Sequence, residues 1–255
     1  MTGFVREDSI VRKIWGTSDV ILFIFAGASA EFALNKAVDW LYFTGKLPKD
    51  PIGRLFSTVS YARRIVFSPE TEAIKAIGTI NQIHLAVEKR RGEEIPEWAY
   101  RDVLFMLIFY SITAYELLER KLSWEEKEEV YEVFYRVGAG MNLKALPATY
   151  KEWLPMREKH LLEDLTKSNL SRDLYKQYRK HLGPARFKLL IEAQKLLVPP
   201  RVRVLLNFDT RDWLKYAIPL YKVSRRRNLD KHIRNLILPS KYKSQIDALD
   251  MYSQK

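Results

Sequence analysis

Two runs of apolar residues at helical spacing lie between Asp50 and Arg91, and only Ser68-Pro69 separates them. Asp50 followed by Pro51 is typical of a helix start, because the acid caps free backbone N–H groups and proline suits the first helical position. The residues predicted to be buried are Ile52, Leu55, Phe56, Val59 and Ala62 in the first helix and Ala73, Ile74, Ile77, Ile80, Ile83 and Val87 in the second. A chain organised around two such helices is predicted to be helical throughout.

Three side chains that could carry chemistry lie on or beside these apolar faces. Arg54 and Thr58 are four residues apart and therefore share one ridge of the first helix. His84 follows Ile80 by four residues and precedes Val87 by three, which places it within the apolar stripe. A histidine in this position is most often a packed residue with a hydrogen-bond partner, and the alternative is a ligand to a metal or haem iron. The spacing does not separate these two interpretations.

The composition favours helices and excludes several kinds of site. Glycine is scarce, at 10 of 255 residues, and there is no cysteine, which excludes disulfides, zinc–thiolate sites, iron–sulfur clusters and thiolate-ligated haem. The apolar runs 20–30 and 103–115 are shorter than the roughly 20 residues that a membrane span needs, so core helices are predicted there. The N-terminus lacks the apolar core of a signal peptide, and we expect a cytoplasmic protein.

Positive charge is concentrated near the C-terminus. Residues 201–255 contain 13 Lys and Arg against 5 Asp and Glu, whereas the whole chain has 43 against 31. A basic tail favours anionic surfaces, although a solvated tail is the commoner explanation of such a charge run. We expect it to contribute to association with a membrane surface, and we expect no nucleic-acid partner.

The ordered set of short motifs resembles the mpaB/rubber-oxygenase family, whose rubber-cleaving members are called latex-clearing proteins. The motifs are Arg54-x-x-x-Thr58, Ile83-His84-x-x-Val87, Ala99-Tyr100-Arg101-Asp102, Tyr115 with Leu117-Leu118, Leu122-Ser123-Trp124-Glu125-Glu126, Leu146-Pro147-Ala148-Thr149 and Leu197-Val198-Pro199-Pro200. The resemblance spans residues 15–208, which is most of the chain.

The resemblance implies an all-α fold, a single globin-like bundle of helices that encloses a pocket for haem b. It implies that His84 is the proximal ligand of the haem iron and that Arg54 and Thr58 are the Arg/Thr pair beside the haem. The helical haem-binding domain would comprise residues 1–208, and residues 209–255 would form a basic helix and tail. The implied reaction is the cleavage of a carbon–carbon double bond in an apolar, isoprenoid-like substrate by dioxygen. A haem- or lipid-binding helical protein without turnover is the alternative.

Two departures from the family pattern concern the chemistry. Rubber-cleaving members have a lysine directly before the motif threonine, where this chain has Ser57. They also use an upstream glutamate as a base, and the nearest acids here are Asp39 and Glu31. His160, which has charged neighbours at helical distance, is predicted to be exposed or paired rather than a ligand. Haem binding is therefore better supported than rubber cleavage.

The rest of the chain is predicted as further helices. One helix is expected over residues 18–42, with the small residues 27–30 allowing close approach by another helix or by a flat cofactor. Two helices, 171–182 and 184–198, are expected on either side of Gly183-Pro184, where proline follows a flexible residue. Residues 202–208 alternate weakly, but a lone strand is not expected in a helical protein.

Overall fold

The computed structural model of the protein describes residues 3–226 and Tyr242. Within these residues the secondary structure is helical, with two isolated bridges, Gly3 to Pro69 and Asn35 to Leu165, and no strand. The helices are α1 (Ile10–Gly16), α2 (Ser18–Phe32), α3 (Val38–Phe43), α4 (Lys46–Lys49), α5 (Pro51–Phe67), α6 (Glu70–Arg91), α7 (Glu97–Leu118), α8 (Trp124–Gly140), α9 (Tyr150–Glu163), α10 (Asn169–Leu197), α11 (Pro200–Leu206) and α12 (Trp213–Arg226). The all-α prediction is confirmed.

Local capping chemistry accounts for several helix ends. The Asp50 carboxylate accepts a hydrogen bond from the Gly53 N–H at 3.1 Å and so begins α5 as predicted. Ser123 and Glu126 form the expected capping box at the start of α8. Gly92 ends α6 in the left-handed conformation, with φ of 77°, which glycine adopts without steric cost.

The helices α2 and α7 form the centre of the bundle. Their facing side chains include Ile21, Ile24, Phe105 and Ile108, which are fully or almost fully buried. Gly27 lets the two helices approach closely, since a Cβ atom built there would lie 2.3 Å from the ring of Tyr110. The patch of small residues therefore serves helix packing at this position.

Gly27→Ala is expected to destabilise the protein. Overpacking a filled core costs about 1–3 kcal/mol, and the gain in helix propensity, at most about 1 kcal/mol, acts against it. Gly78→Ala on α6 is a matched control, because its added Cβ would meet nothing within 4 Å. Urea unfolding should show a lower free energy of unfolding for the first variant and an equal or higher one for the second. Equal stabilities would mean that the Tyr110 ring moves aside freely.

The single helix predicted over residues 18–42 is wrong, because α2 ends at Phe32. Asn35 interrupts the helix: its Oδ1 accepts the N–H of Ala37 at 2.8 Å, which gives the backbone an alternative to helical bonding. The neighbouring backbone instead pairs with the chain after α9, where Lys36 N–H donates to the Asp164 carbonyl at 3.0 Å. This turn brings the end of α2 next to the end of α9.

The predicted inward stripe of α6 is only partly correct. Ala73 and Ile77 are buried, but Ile74 and Ile83 are 57% and 41% exposed. The helix packs against α5 and α8 along a narrow strip, which the small Ala76 side chain also lines. Apolar residues on the rest of its circumference, including those next to His84, therefore face outward.

The C-terminal third of the described chain follows the predicted pattern. Gly183 interrupts α10 with φ of 75°, and Pro184 follows it, so the two predicted helices meet at a kink. The segment that alternates weakly is helical as α11. Arg225 of α12 pairs with Asp19 at 2.8 Å and with Glu119 at 2.5 Å, which fixes α12 to the helical bundle. The division between residues 208 and 209 stays a prediction.

The basic tail lies outside the described residues from position 227 onward, apart from Tyr242. The membrane-surface association that we expect from it is therefore still a prediction. In the part of the chain that the structure describes, no helix is long and apolar enough to span a bilayer.

Candidate functional site

The packing of α5 against α6 brings Arg54 close to His84. Both side chains are half-buried, and the guanidinium lies close enough to act electrostatically on the imidazole. Thr58 lies one turn further along α5 and donates from its hydroxyl to the Arg54 carbonyl at 3.3 Å. The three predicted site residues thus belong to one helix pair.

His84 is held in its neutral form. Burial lowers the pKa of the imidazole and the nearby Arg54 lowers it further, so that the pKa falls to about 4 although Glu88 acts in the opposite direction. The ring lies against Tyr100, with 4.9 Å between the ring centroids. Its Nδ1 is buried, and His84 makes no hydrogen bond within the described residues. A packed histidine normally has a hydrogen-bond partner. The buried Nδ1 of His84 has none within the described residues.

Arg54 is half-buried, and it forms no ion pair with any described residue. Its Nη1 donates to Ser57 Oγ at 2.8 Å, and Ser57 Oγ in turn donates to the Arg54 carbonyl at 2.7 Å. Burial lowers the pKa of the guanidinium, but an arginine stays protonated in proteins. The site therefore contains a partly desolvated positive charge that suits an anionic group of a ligand.

The two acids considered above for the role of the upstream base are both engaged elsewhere. Asp39 accepts a hydrogen bond from Arg91 at 2.8 Å, and Arg91 lies over the Trp40 ring, 3.9 Å from its centroid. Glu31 is fully buried and paired, as described below. Neither carboxylate is therefore an evident base for a substrate at His84.

A buried network of charged residues joins α2, α7 and α9. Arg157 donates two hydrogen bonds to the Glu31 carboxylate at 2.5 and 2.6 Å, and the Tyr110 hydroxyl donates a third at 2.9 Å. Burial alone would raise the pKa of Glu31, but Arg157 and His160 lower it to about 2. The network is therefore ionised at neutral pH.

His160 lies at the centre of this network, 3% exposed, so its predicted pairing is confirmed and its predicted exposure is wrong. Burial lowers the pKa of the imidazole, but the carboxylates of Asp102 and Glu31 outweigh burial and raise it. The missed signal is the spacing of Trp153, Arg157, His160 and Leu161, which share one buried face of α9. The three segments that meet here are distant in sequence, so the sequence pattern did not show their contact.

A mostly apolar cavity of about 520 Å³ lies between α2, α5, α10 and α12. Its lining includes Phe23, Ala26, Ile52, Leu55, Leu190 and Ile218. Binding pockets for small molecules are typically of this size and character. The sequence did not predict it, because its walls come from four separate helices. Arg54, Thr58 and His84 do not line it, so the structure does not confirm the enclosed, globin-like pocket expected around them.

The donor set on α5 and α6 fits a haem group. A neutral imidazole without a hydrogen-bond partner is the form that ligates iron, and the Arg54 guanidinium without an ion pair suits a propionate. The apolar residues Ile83 and Leu85, which are exposed beside His84, offer surface that a haem face would cover.

Comparison with known proteins gives one match. A family model described as "ER-bound oxygenase mpaB/B'/Rubber oxygenase, catalytic domain" matches residues 14–226, which is most of the chain and extends through α12. No curated protein and no solved structure matches the chain.

Proposed function

The chain belongs to the mpaB/rubber-oxygenase family, and on this premise we propose that it is a haem b-dependent oxygenase that acts on an apolar, isoprenoid-like alkene and dioxygen. The observation that carries the proposal is the neutral His84 imidazole, with a buried nitrogen that makes no hydrogen bond, beside the Arg54 guanidinium. By the resemblance described above, both residues match the haem-site positions of the family motif.

In this proposal His84 would hold the haem iron, and Arg54 would pair with a propionate or donate a hydrogen bond to an oxygen atom of the substrate. When bound, the haem supplies the redox chemistry of dioxygen, including the cleavage of the carbon–carbon double bond. The low pKa of His84 keeps its nitrogens free of a second proton at neutral pH. Thr58 bonds only its own helix carbonyl, at the long distance of 3.3 Å, and its hydroxyl can turn towards a ligand.

The cavity supports an apolar substrate. Its lining is almost entirely hydrocarbon, and Ile52 and Leu55 connect it to the helix that carries Arg54. An isoprenoid chain would bury its methyl and methylene groups there, at about 0.8 kcal/mol for each CH₂ group removed from water. In this proposal the residues that line the cavity position the substrate.

Purified full-length protein, expressed with ample haem supply, tests the proposal in two stages. A Soret band with one haem per chain is expected first, and oxygen uptake with a polyisoprenoid alkene second. Haem without oxygen uptake would favour the alternative function, a haem- or lipid-binding protein without turnover. Ser57 in place of the family's lysine, and the engagement of Asp39 and Glu31, are the observations that favour this alternative.

Arg54→Ala is expected to reduce activity per haem roughly 10- to 100-fold, because one hydrogen bond from a charged group is worth about 1.5–3 kcal/mol. The melting temperature of the apoprotein should change little, since Arg54 forms no ion pair within the described residues. Arg64→Ala is the matched control on the exposed side of the same helix. Parallel loss of haem and melting temperature, with activity per haem unchanged, would instead identify Arg54 as structural.

We also propose that the protein associates with a membrane surface, and the exposed face of α12 supports this. Trp213, Tyr216, Leu220 and Val223 of α12 are exposed large apolar residues at helical spacing. Helices with such a face and basic neighbours lie in the interface of a bilayer. The basic tail that would accompany them lies outside the described residues.

A further inference from the structure

Three potential metal ligands meet where α7 contacts the end of α9. The Nδ1 of His160 lies 2.9 Å from Asp102 Oδ1 and 3.6 Å from Asp164 Oδ2, and one ligand atom from each residue lies within 4.8 Å of the others. Asp102 and His160 are buried, whereas the Asp164 side chain is 21% exposed. The cluster is therefore closed on one side and open to solvent through Asp164.

The geometry of the closest pair is unusual for an ion pair. Although His160 Nδ1 and Asp102 Oδ1 are 2.9 Å apart, both atoms are buried and neither has a hydrogen-bond partner. At this distance the two atoms interact as an ion pair when the ring is protonated, but their alignment is poor for a hydrogen bond. Two ligands that each lie about 2.1 Å from a tetrahedral metal ion are about 3.4 Å apart, which lies between the two distances from His160 Nδ1. Both the distance and the poor hydrogen-bond alignment match two ligand atoms that point towards one metal ion.

The other ring nitrogen of His160 is already occupied. Nε2 lies 2.9 Å from Glu31 Oε1, and Glu31 is ionised and held by Arg157. A carboxylate can only accept a hydrogen bond, so Nε2 carries a proton, and a metal ion at Nδ1 would displace the second proton that the Asp102 carboxylate favours. A carboxylate that fixes the tautomer of a ligating histidine in this way is the usual arrangement around protein-bound metals.

The buried aspartate is oriented in the same manner. Asn35 Nδ2 donates to Asp102 Oδ2 at 2.9 Å, which leaves Oδ1 directed at the cluster. With a neutral imidazole, the side chains of Arg157, Glu31, Asp102 and Asp164 carry one positive and three negative charges. A dication bound at Nδ1 would balance this net charge of −2 in place of the second proton of His160.

From this arrangement we propose that Asp102, His160 and Asp164 bind one divalent transition-metal ion with nitrogen and oxygen preference, such as Zn²⁺ or Mn²⁺. Water would complete the coordination on the side where Asp164 reaches solvent. The ion would join α7 to the end of α9. This proposal is independent of a haem at His84, which lies on a different helix pair.

Zinc binding to the untagged full-length chain, after treatment with EDTA, tests the proposal. Elemental analysis after dialysis should give one Zn²⁺ per chain, and zinc should raise the melting temperature. Asp164→Asn should weaken zinc binding at least tenfold, as calorimetric titration would show, because it removes a charged ligand without changing the side-chain shape. Asp102→Asn should weaken it further.

Matched variants keep the outcome interpretable. Glu163→Gln alters the neighbouring exposed acid, whose side chain pairs with Lys159 at 3.8 Å, and should bind zinc as the unmodified protein does. His84→Ala should also bind one Zn²⁺, which separates this site from the proposed haem site. The proposal is overturned if the folded chain, checked by circular dichroism, takes up no stoichiometric zinc. It is equally overturned if Asp164→Asn binds zinc with unchanged affinity.

Discussion

Replacement of His84 by alanine is expected to remove most of the haem from the protein while the apoprotein stays folded. Alanine is the best helix former, so α6 should persist. The lost contact with Tyr100 is worth about 0.5–1.5 kcal/mol, and the removal of a buried nitrogen without a partner offsets it by about 1–3 kcal/mol. The stability of the apoprotein should therefore change little, in contrast to its haem content.

Haem per chain and the Soret spectrum measure this effect, and urea unfolding of the apoprotein measures stability. Added imidazole should restore part of the spectrum in the variant, because it can occupy the vacated ligand position. Gln82→Ala, an exposed neighbour on the same helix, should keep its haem. An unmodified protein that never takes up haem would mean that His84 is a packed residue. A haem-replete variant with an unchanged spectrum would place the iron ligand elsewhere.

Arg157→Ala is expected to cause the largest loss of stability. The substitution leaves the Glu31 carboxylate fully buried without its strongest partner, and breaking a buried pair in this way costs about 3–5 kcal/mol. Lys159→Ala on the same helix is the matched control, since its contact with Glu163 is exposed and 3.8 Å long. Such surface pairs contribute about 0–1 kcal/mol.

Chemical unfolding followed by circular dichroism distinguishes the two variants. The midpoint of Arg157→Ala should fall far below that of Lys159→Ala, with a similar dependence on denaturant concentration if both unfold in two states. A loss smaller than 1 kcal/mol for Arg157→Ala would contradict the account given for the network. It would mean that Glu31 is neutralised or hydrated in the variant at little cost.

Features that depend on neighbouring residues were predictable from the sequence. The cap at Asp50, the capping box at Ser123 and the left-handed Gly92 each rest on side chains within a few residues of the helix end. The shared position of Arg54 and Thr58 follows from helical spacing alone. Their proximity to His84 follows from a short connection between two antiparallel helices.

Features that depend on distant partners were not predictable in this way. The end of α2 is decided by Asn35, whose side chain bonds Asp102 as well as the local backbone. Exposure of Ile83 depends on which helices cover α6, and apolar spacing does not report this. The burial of His160 likewise needs Glu31 from α2, 129 residues away.

The charged network also has a consequence for the order in which the bundle folds. Glu31 and Arg157 are separated by 126 residues, so their pairing closes a long loop, and such contacts slow folding. Before α9 packs, an assembled pair of α2 and α7 would bury Glu31 beside Tyr110 without a compensating cation, at a cost of several kcal/mol. An intermediate built from α2 and α7 must therefore keep this end of the pair hydrated. Water is excluded from Glu31 only when α9 packs and brings Arg157 into contact with it. The docking of α9 is therefore a late step of folding.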